Sequence, residues 1–297
     1  MSLDNILALT CGVPLSLINL VTSIRPTDHV FTGVYRPGEE TERLIGQVHQ
    51  SPNMSSAYLS YILRSENTDP HDIVIFLEGV IEHVGGWGAK QVVADLDIAS
   101  EDFTCFRQVG FSVLAKQRVY KCLSTEKRKS VLEREWQTWN SDDIPVMQRL
   151  YQTLVPPLIQ PVEPLTRREM LGLVYYNEQG VLQAYVDLVY GPVGIWVLPM
   201  IHPRVSENIS DLLAQMLFDL PERSGRPIFI AVRSYQPWVE QALENLNTYP
   251  GPEQALLVRY LALQQRVEPE FRFASIESGK PEPTIPLAPI QASENEG

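Results

Sequence analysis

The 297-residue sequence predicts an α/β fold in which one small unit is laid down twice. Three observations carry this. Runs of period two, rich in β-branched and aromatic residues, alternate with runs of helical period. Two helical runs start on capping residues, and two stop at glycine. The order hairpin, strand, helix, strand, helix, strand occurs in both halves, about 135 residues apart, a spacing that reads as an internal repeat.

In the first unit, "HVFTGVYR" (29–36) and "RLIGQVHQ" (43–50) read as strands joined by the polar turn "PGEETE". "AYLSYIL" (57–63) is the next strand. A helix follows in "DPHDIVIFLEGVIEHVGG". Asp69 can cap it, Pro70 suits its first position, and Asp72 favours the positive end of its dipole. Ile73, Phe76, Leu77, Val80, Ile81 and Val84 form one apolar face, and Gly85 ends the run. "KQVVADL" (90–96) is a strand. In "EDFTCFRQVGFSVLAKQRVYKC" (101–122) a helix stops at Gly110–Phe111 and runs into two alternating strands.

The second unit opens in "WQTWNSDDIPVMQRLYQTL", a short strand and then a helix capped by Ser141 or Asp142. Its apolar face is Ile144, Met147, Leu150 and Leu154. "LGLVYYNEQGVLQAYVDLVYG" (171–191) is a hairpin turning at Asn177–Gly180. Strand "GIWVLPMI" (194–201), helix "SENISDLLAQMLFDL" (206–220) and strand "PIFIAVRS" (227–234) follow. Helix "QPWVEQALENLN" (236–247) and closing strand "QALLVRYLALQQ" (254–265) complete it. The boundary between units falls near 124–134. The stretch "PEPTIPLAPIQASENEG" lacks any period and predicts a disordered, acidic, proline-rich tail.

Composition narrows the function classes. A formal charge of −12 argues against a nucleic-acid partner, whose phosphates demand basic groups. "EKRKSVLERE" (126–135) mixes signs and reads as solvated surface. Cys11, Cys105 and Cys122 have neither metal spacing nor a disulfide framework, so reduced thiols in the cytoplasm are expected. No apolar run reaches the ~18 residues of a membrane span. The five histidines show no i, i+4 pairing, so no metal site is expected. "GGWGAK" (85–90) ends a helix and opens a strand, the reverse of a dinucleotide loop.

Three local motifs carry a family resemblance. "RQVGF" (107–111), "RLIGQVHQ" with its internal Gly46, and "WQTWNSDDIPVMQRLY" with Asp143 resemble segments of the GNAT superfamily of acetyl-coenzyme-A-dependent N-acetyltransferases. The doubled element order resembles a tandem member. The resemblance implies two GNAT-like domains, each a mixed, mostly antiparallel twisted sheet flanked by helices. They span residues 1–124 and 135–266, with the tail at 267–297. It also implies acetyl-CoA as cofactor and an amine of a small molecule or peptide as acceptor. Neither nucleic acid nor membrane is an expected partner.

In that family a splayed pair of central strands admits the pantetheine arm, and a glycine-rich helix N-terminus holds the pyrophosphate. A tyrosine in the fourth helix often protonates the leaving thiolate. The first half departs from this. "RSENTDPHD" has no glycine and sets Glu66, Asp69 and Asp72 where phosphates belong, with Arg64 alone to compensate; Phe106 stands at the tyrosine position. In the second half "IHPRVSENIS" also lacks the glycines but offers His202, Arg204 and Ser206. The resemblance therefore implies a cofactor loop of Met200, Ile201, Arg204, Ser206, Asn208 and Ile209, with no catalytic residue assignable. Two functions follow as expectations: an acetyl-CoA-dependent N-acyltransferase, or a catalytically inactive tandem module that binds a small molecule or protein.

Overall fold

The computed structural model describes residues 1–12, 29–37, 43–52, 54–122, 135–165, 171–205, 207–221 and 223–261. The predicted inter-unit boundary and the predicted tail lie outside these residues. The first half contains α1 (Asn5–Cys11), β1 (His29–Tyr35), β2 (Leu44–Gln50) and β3 (Ser56–Leu63). It continues with α2 (Pro70–Gly85), β4 (Gln91–Asp97), α3 (Phe103–Gln108) and β5 (Ser112–Cys122). The second half contains β6 (Gln137–Thr138), α4 (Ile144–Leu154), β7 (Leu171–Tyr176), β8 (Leu182–Tyr190) and β9 (Ile195–Ile201). Then come α5 (Ile209–Asp219), β10 (Ile228–Arg233), α6 (Pro237–Glu244) and β11 (Tyr249–Tyr260).

All eleven strands form one sheet, in the order β1-β2-β3-β4-β11-β5-β10-β9-β8-β7-β6. Among the described strands every pair is antiparallel except β3–β4 and β9–β10. Setting β1–β4 with β11 against β7–β10 with β5, the order reads the same from either end. An approximate twofold axis therefore passes between β5 and β11. Each half has sent its closing strand to the other: β11 pairs with β4, and β5 with β10. The sequence does not reveal this exchange, because a closing strand is equally apolar whichever sheet edge it joins. The two short strands expected after Gly110 are one strand of 11 residues, long enough to span both neighbours.

Side chains alternate across the sheet. Ala255 and Leu257 of β11, with Tyr120 and Cys122 of β5, join the cores under α2, α3, α5 and α6. Leu256 and Val258 of β11, with Ala115 of β5, face the opposite core, which α1 and α4 cover. There too the halves interlock. The Val193 N–H donates to Thr10 O at the end of α1, 2.9 Å. Tyr58 Oη and Gln91 Nε2 donate to Val162 O and Pro161 O in the segment after α4, at 3.2 and 3.0 Å.

Local chemistry explains most boundaries. Asp69 accepts from the His71 N–H and caps α2, with Pro70 at its first position. The expected cap of the second-half helix, Ser141 or Asp142, shifts by one or two residues. Asn140, reciprocated by Asp143, caps a 3-10 turn over Ser141–Asp143, and α4 starts at Ile144. Gly110 has φ 84° and lets the Phe111 N–H reach Phe106 O, 3.0 Å, closing α3. Gly46 leaves room for Phe76 of α2, whose ring atoms sit 2.7 Å from where a Cβ would stand.

Near the axis lies a buried polar network. Gln117 Nε2 donates to Gln254 Oε1 (3.3 Å), which also accepts from Asn5 Nδ2 (2.8 Å); the Asn5 N–H donates to Asp95 Oδ2 (3.3 Å). Arg233, register partner of Gln117, forms a bidentate pair with Glu163. Burial pushes the Asp95 carboxyl up to about 7, Arg233 opposing and Asp4 and Glu163 reinforcing the rise.

Two expectations follow. Residues 1–122 or 135–261 expressed alone lack the exchanged strand and should show no cooperative melt by circular dichroism, whereas co-expressed halves should copurify. A cooperative melt of either half alone would count against the exchange as a stabilising feature. Second, the Asp95 pKa of about 7 lies above the ~4 of an unfolded aspartate, so its stabilising contribution is complete below about pH 4 and lost as pH rises through 7. Asp95→Asn should raise the melting temperature by about 2–5 °C at pH 8 and flatten its slope between about pH 5 and 8, read from melts across pH.

Candidate functional site

The GNAT cofactor site depends on two parallel strands that pair briefly and then part. Both halves contain that feature. β3 and β4 pair over Ser56–Tyr58 with Gln91–Val93, and β9 and β10 over Ile195–Val197 with Ile228–Ile230. Beyond those residues each pair of strands diverges, leaving main-chain groups that face a slot.

In the first half the slot holds residues Met1–Leu3 as a short extended segment, antiparallel to β3, with Ser2 opposite Tyr61. The Leu3 N–H donates to Ser60 O (2.9 Å), the Ile62 N–H to Met1 O (3.0 Å) and the Met1 amine to Ile62 O (2.6 Å). On the other side the Asp95 N–H donates to Leu3 O, 2.8 Å. Leu3 is 1% exposed and belongs to the core under α2. At the α2 N-terminus, Asp69 takes the His71 N–H, and Asp72 accepts from Tyr35 Oη. Arg64 is held by Asp102, 3.2 Å. Phe106, which the resemblance sets at the proton donor's position, is fully buried edge-on against Phe111.

In the second half two side chains, Gln236 and Trp238, fill the slot. Gln236, fully buried just before α6, donates from Nε2 to Pro199 O (3.0 Å) and accepts from the Ile201 N–H (3.1 Å). Trp238 Nε1 donates to Ile201 O, 3.0 Å. Thus three consecutive outward main-chain groups of β9 are satisfied from within the chain. Of the expected loop residues, Met200 and Ile201 are buried on β9 and face opposite cores. Arg204 is exposed, its N–H donating to His202 Nδ1 (3.1 Å). Asn208 caps α5, accepting from the Ser210 and Asp211 N–H groups, and Ile209 packs against the core under α5. Ser206 lies outside the described residues. The five described residues are thus split between strand interior, exposed turn and helix start.

Acetyl-coenzyme A needs free main-chain groups along the slot and free first-turn N–H groups for its pyrophosphate. The residues described do not fit it as they stand. Both slots are filled, both helix starts are capped by their own side chains, and Asp72 and Asp211 sit in the first turns. Met1–Leu3 and Gln236 escaped the sequence reading. A tripeptide and a glutamine carry no motif, although Gln236 directly before Pro237 marks a side chain held at a helix entrance. Among the described residues no group of His, Cys, Asp and Glu could hold a metal ion.

No protein-family model matches the sequence, and no curated protein does. Solved structures match by shape. A tandem GNAT protein from the clavulanic acid biosynthesis pathway superposes with a TM-score of 0.52 at 13% identity, over 86% of this chain and 93% of that one. The chain carries the GNAT fold twice. A conserved protein of unknown function from Staphylococcus epidermidis gives a TM-score of 0.53 at 10% identity, over 78% of this chain and 96% of that one. At such identities the likeness is one of fold. The GNAT slot is therefore present in both halves in outline, with the chain's own atoms inside it.

The second slot yields a prediction. Gln236→Glu retains an acceptor for the Ile201 N–H but, ionised, has no donor for Pro199 O; Gln236→Ala has neither. Each should cost about 1–3 kcal/mol of stability, the glutamate more at pH 8 than at pH 5, measured by urea unfolding.

Proposed function

We infer that this protein is a non-catalytic tandem GNAT-fold module that binds a partner instead of transferring an acetyl group. One observation supports the reading above the rest: the slot of each half is closed by the chain itself, with main-chain hydrogen bonds on the strand edges where a pantetheine arm would lie. The capped helix starts and the buried Phe106 agree with it. A compartment that keeps Cys11, Cys105 and Cys122 as free thiols, such as the cytoplasm, suits the composition. Among the described residues no helix is long and apolar enough to cross a membrane.

A second reading, acetyl-CoA-dependent N-acyltransfer by the second half, has one observation in its favour. Its slot is closed by side chains, Gln236 and Trp238, which can leave it by rotamer changes without moving main chain. On that reading Met200, Ile201, Arg204, Ser206, Asn208 and Ile209 form the cofactor loop, and the exposed Arg204 pairs with a phosphate.

Melting temperature separates the two. A ligand that binds the native state raises it by mass action. Millimolar acetyl-CoA should leave the wild-type melting temperature unmoved, and no free thiol should appear with a panel of amines. A rise of several degrees that Arg204→Ala diminishes would overturn the non-catalytic reading in favour of the second.

A further inference from the structure

We propose that the first-half slot is a strand-accepting site for an extended peptide, with Met1–Leu3 as its tethered occupant. The proposal rests on the non-catalytic reading and names the partner's chemistry. Ser60 O, Ile62 O, the Ile62 N–H and the Asp95 N–H face one another across the gap between β3 and β4. A three-residue segment satisfies all four at 2.6–3.0 Å. The gap is therefore one strand wide and set to the spacing of a β-ladder, which is the geometry of peptide recognition by strand addition.

The slot also reads a side chain. Leu3 sits 1% exposed among the residues of the core under α2, so the position opposite Ser60 takes a branched apolar group. Charge limits the ligand further. Glu66 and Asp69 precede α2, Asp72 sits in its first turn, and Arg64 is tied to Asp102, so this end of the slot disfavours an anion. A neutral main chain meets all these conditions, whereas a nucleotide-bearing thioester does not. Occupancy by the chain's own segment follows from tethering. Asp4 caps α1 immediately after Leu3, and that short tether gives the segment a high effective concentration.

The test uses the full chain with the occupant weakened. Leu3→Ala empties the side-chain position, and Leu3→Pro also removes the N–H that donates to Ser60 O. The probe is the synthetic peptide amide Met-Ser-Leu-Asp-Asn, with Asp-Met-Asn-Ser-Leu as the scrambled control. Hydrogen exchange of the Ile62 and Asp95 amides is the readout. In Leu3→Ala that exchange should rise about tenfold or more by local opening, with the rest of the sheet still protected. Millimolar probe peptide should restore protection, and the scrambled peptide and acetyl-CoA should not. Unchanged exchange in Leu3→Ala, or raised exchange that the peptide leaves as it is, overturns the proposal; if Leu3→Pro fails to fold, Leu3→Ala decides alone. Restoration by acetyl-CoA instead of the peptide overturns it as well. The non-catalytic reading stands or falls separately, on acetyl-CoA and the wild-type melt.

Discussion

Two parallel strands that separate inside a folded protein leave a row of main-chain N–H and C=O groups facing inward, and each one left unpaired costs about 1–3 kcal/mol. The arrangement of this molecule follows from how those groups are satisfied. A tightly bound cofactor is one solution. Here each half supplies its own. The first half uses main chain, Met1–Leu3, which pairs with both walls at once. The second uses the Gln236 amide, a donor and an acceptor on one carbon, plus the Trp238 indole. A carboxamide presents a donor and an acceptor side by side as a peptide group does, whereas an ionised glutamate offers only acceptors and would leave Pro199 O unpaired.

The same accounting explains why the halves are inseparable. With β5 and β11 exchanged, each half taken alone ends in the open edge of β4 or β10, an exposed ladder of the kind that drives misassociation. The exchange also carries polar residues to the axis, where Gln117 meets Gln254. The network there is incompletely paired: Asp95 Oδ1, Gln117 Oε1 and Arg233 Nη1 are sealed from solvent without a partner among the described residues. A partly satisfied network of this kind is costly in low dielectric. Asp95 links the two features. Its N–H holds Leu3, and its carboxylate accepts from Asn5.

The scaffold was largely legible in the sequence because it is written in periodicity and punctuation. Asp69–Pro70, the apolar face from Ile73 to Val84, the Asn177–Gly180 turn and Gly110 are local signals, and local signals determine where an element starts and stops. The doubling of the order was legible for the same reason. What escaped is non-local. Whether "QALLVRY" closes its own sheet or its neighbour's depends on the sheet edge it meets, and Leu256 and Leu257 are equally buried either way. The slot's contents escaped because Met1–Leu3 is too short to show a period. Gln236 is one polar residue whose role exists only once β9 and β10 have parted. The loop from Met200 to Ile209 was legible as a strand end and a helix start, while the capping of α5 by Asn208 is a matter of rotamer.

The two halves close their slots by devices of unequal reversibility, and this asymmetry matters more than the shared fold. A fold by itself does not assign an activity. A cofactor of the GNAT type needs two things in each half, a slot for a neutral arm and a helix start for an anion. In the first half main chain fills the slot, Asp69 caps the helix and Asp72 adds a second carboxylate, so clearing the slot leaves the anion site still hostile. In the second half Asn208 caps without a charge of its own, leaving Asp211 as the one first-turn carboxylate, and a side chain can leave a slot faster than a strand can. Two independent obstacles in the first half and two weaker ones in the second mean that no single substitution converts either into a coenzyme site. On the strand-accepting proposal, a single substitution at Leu3 would release the neutral slot of the first half, whose walls pair with main chain on both sides.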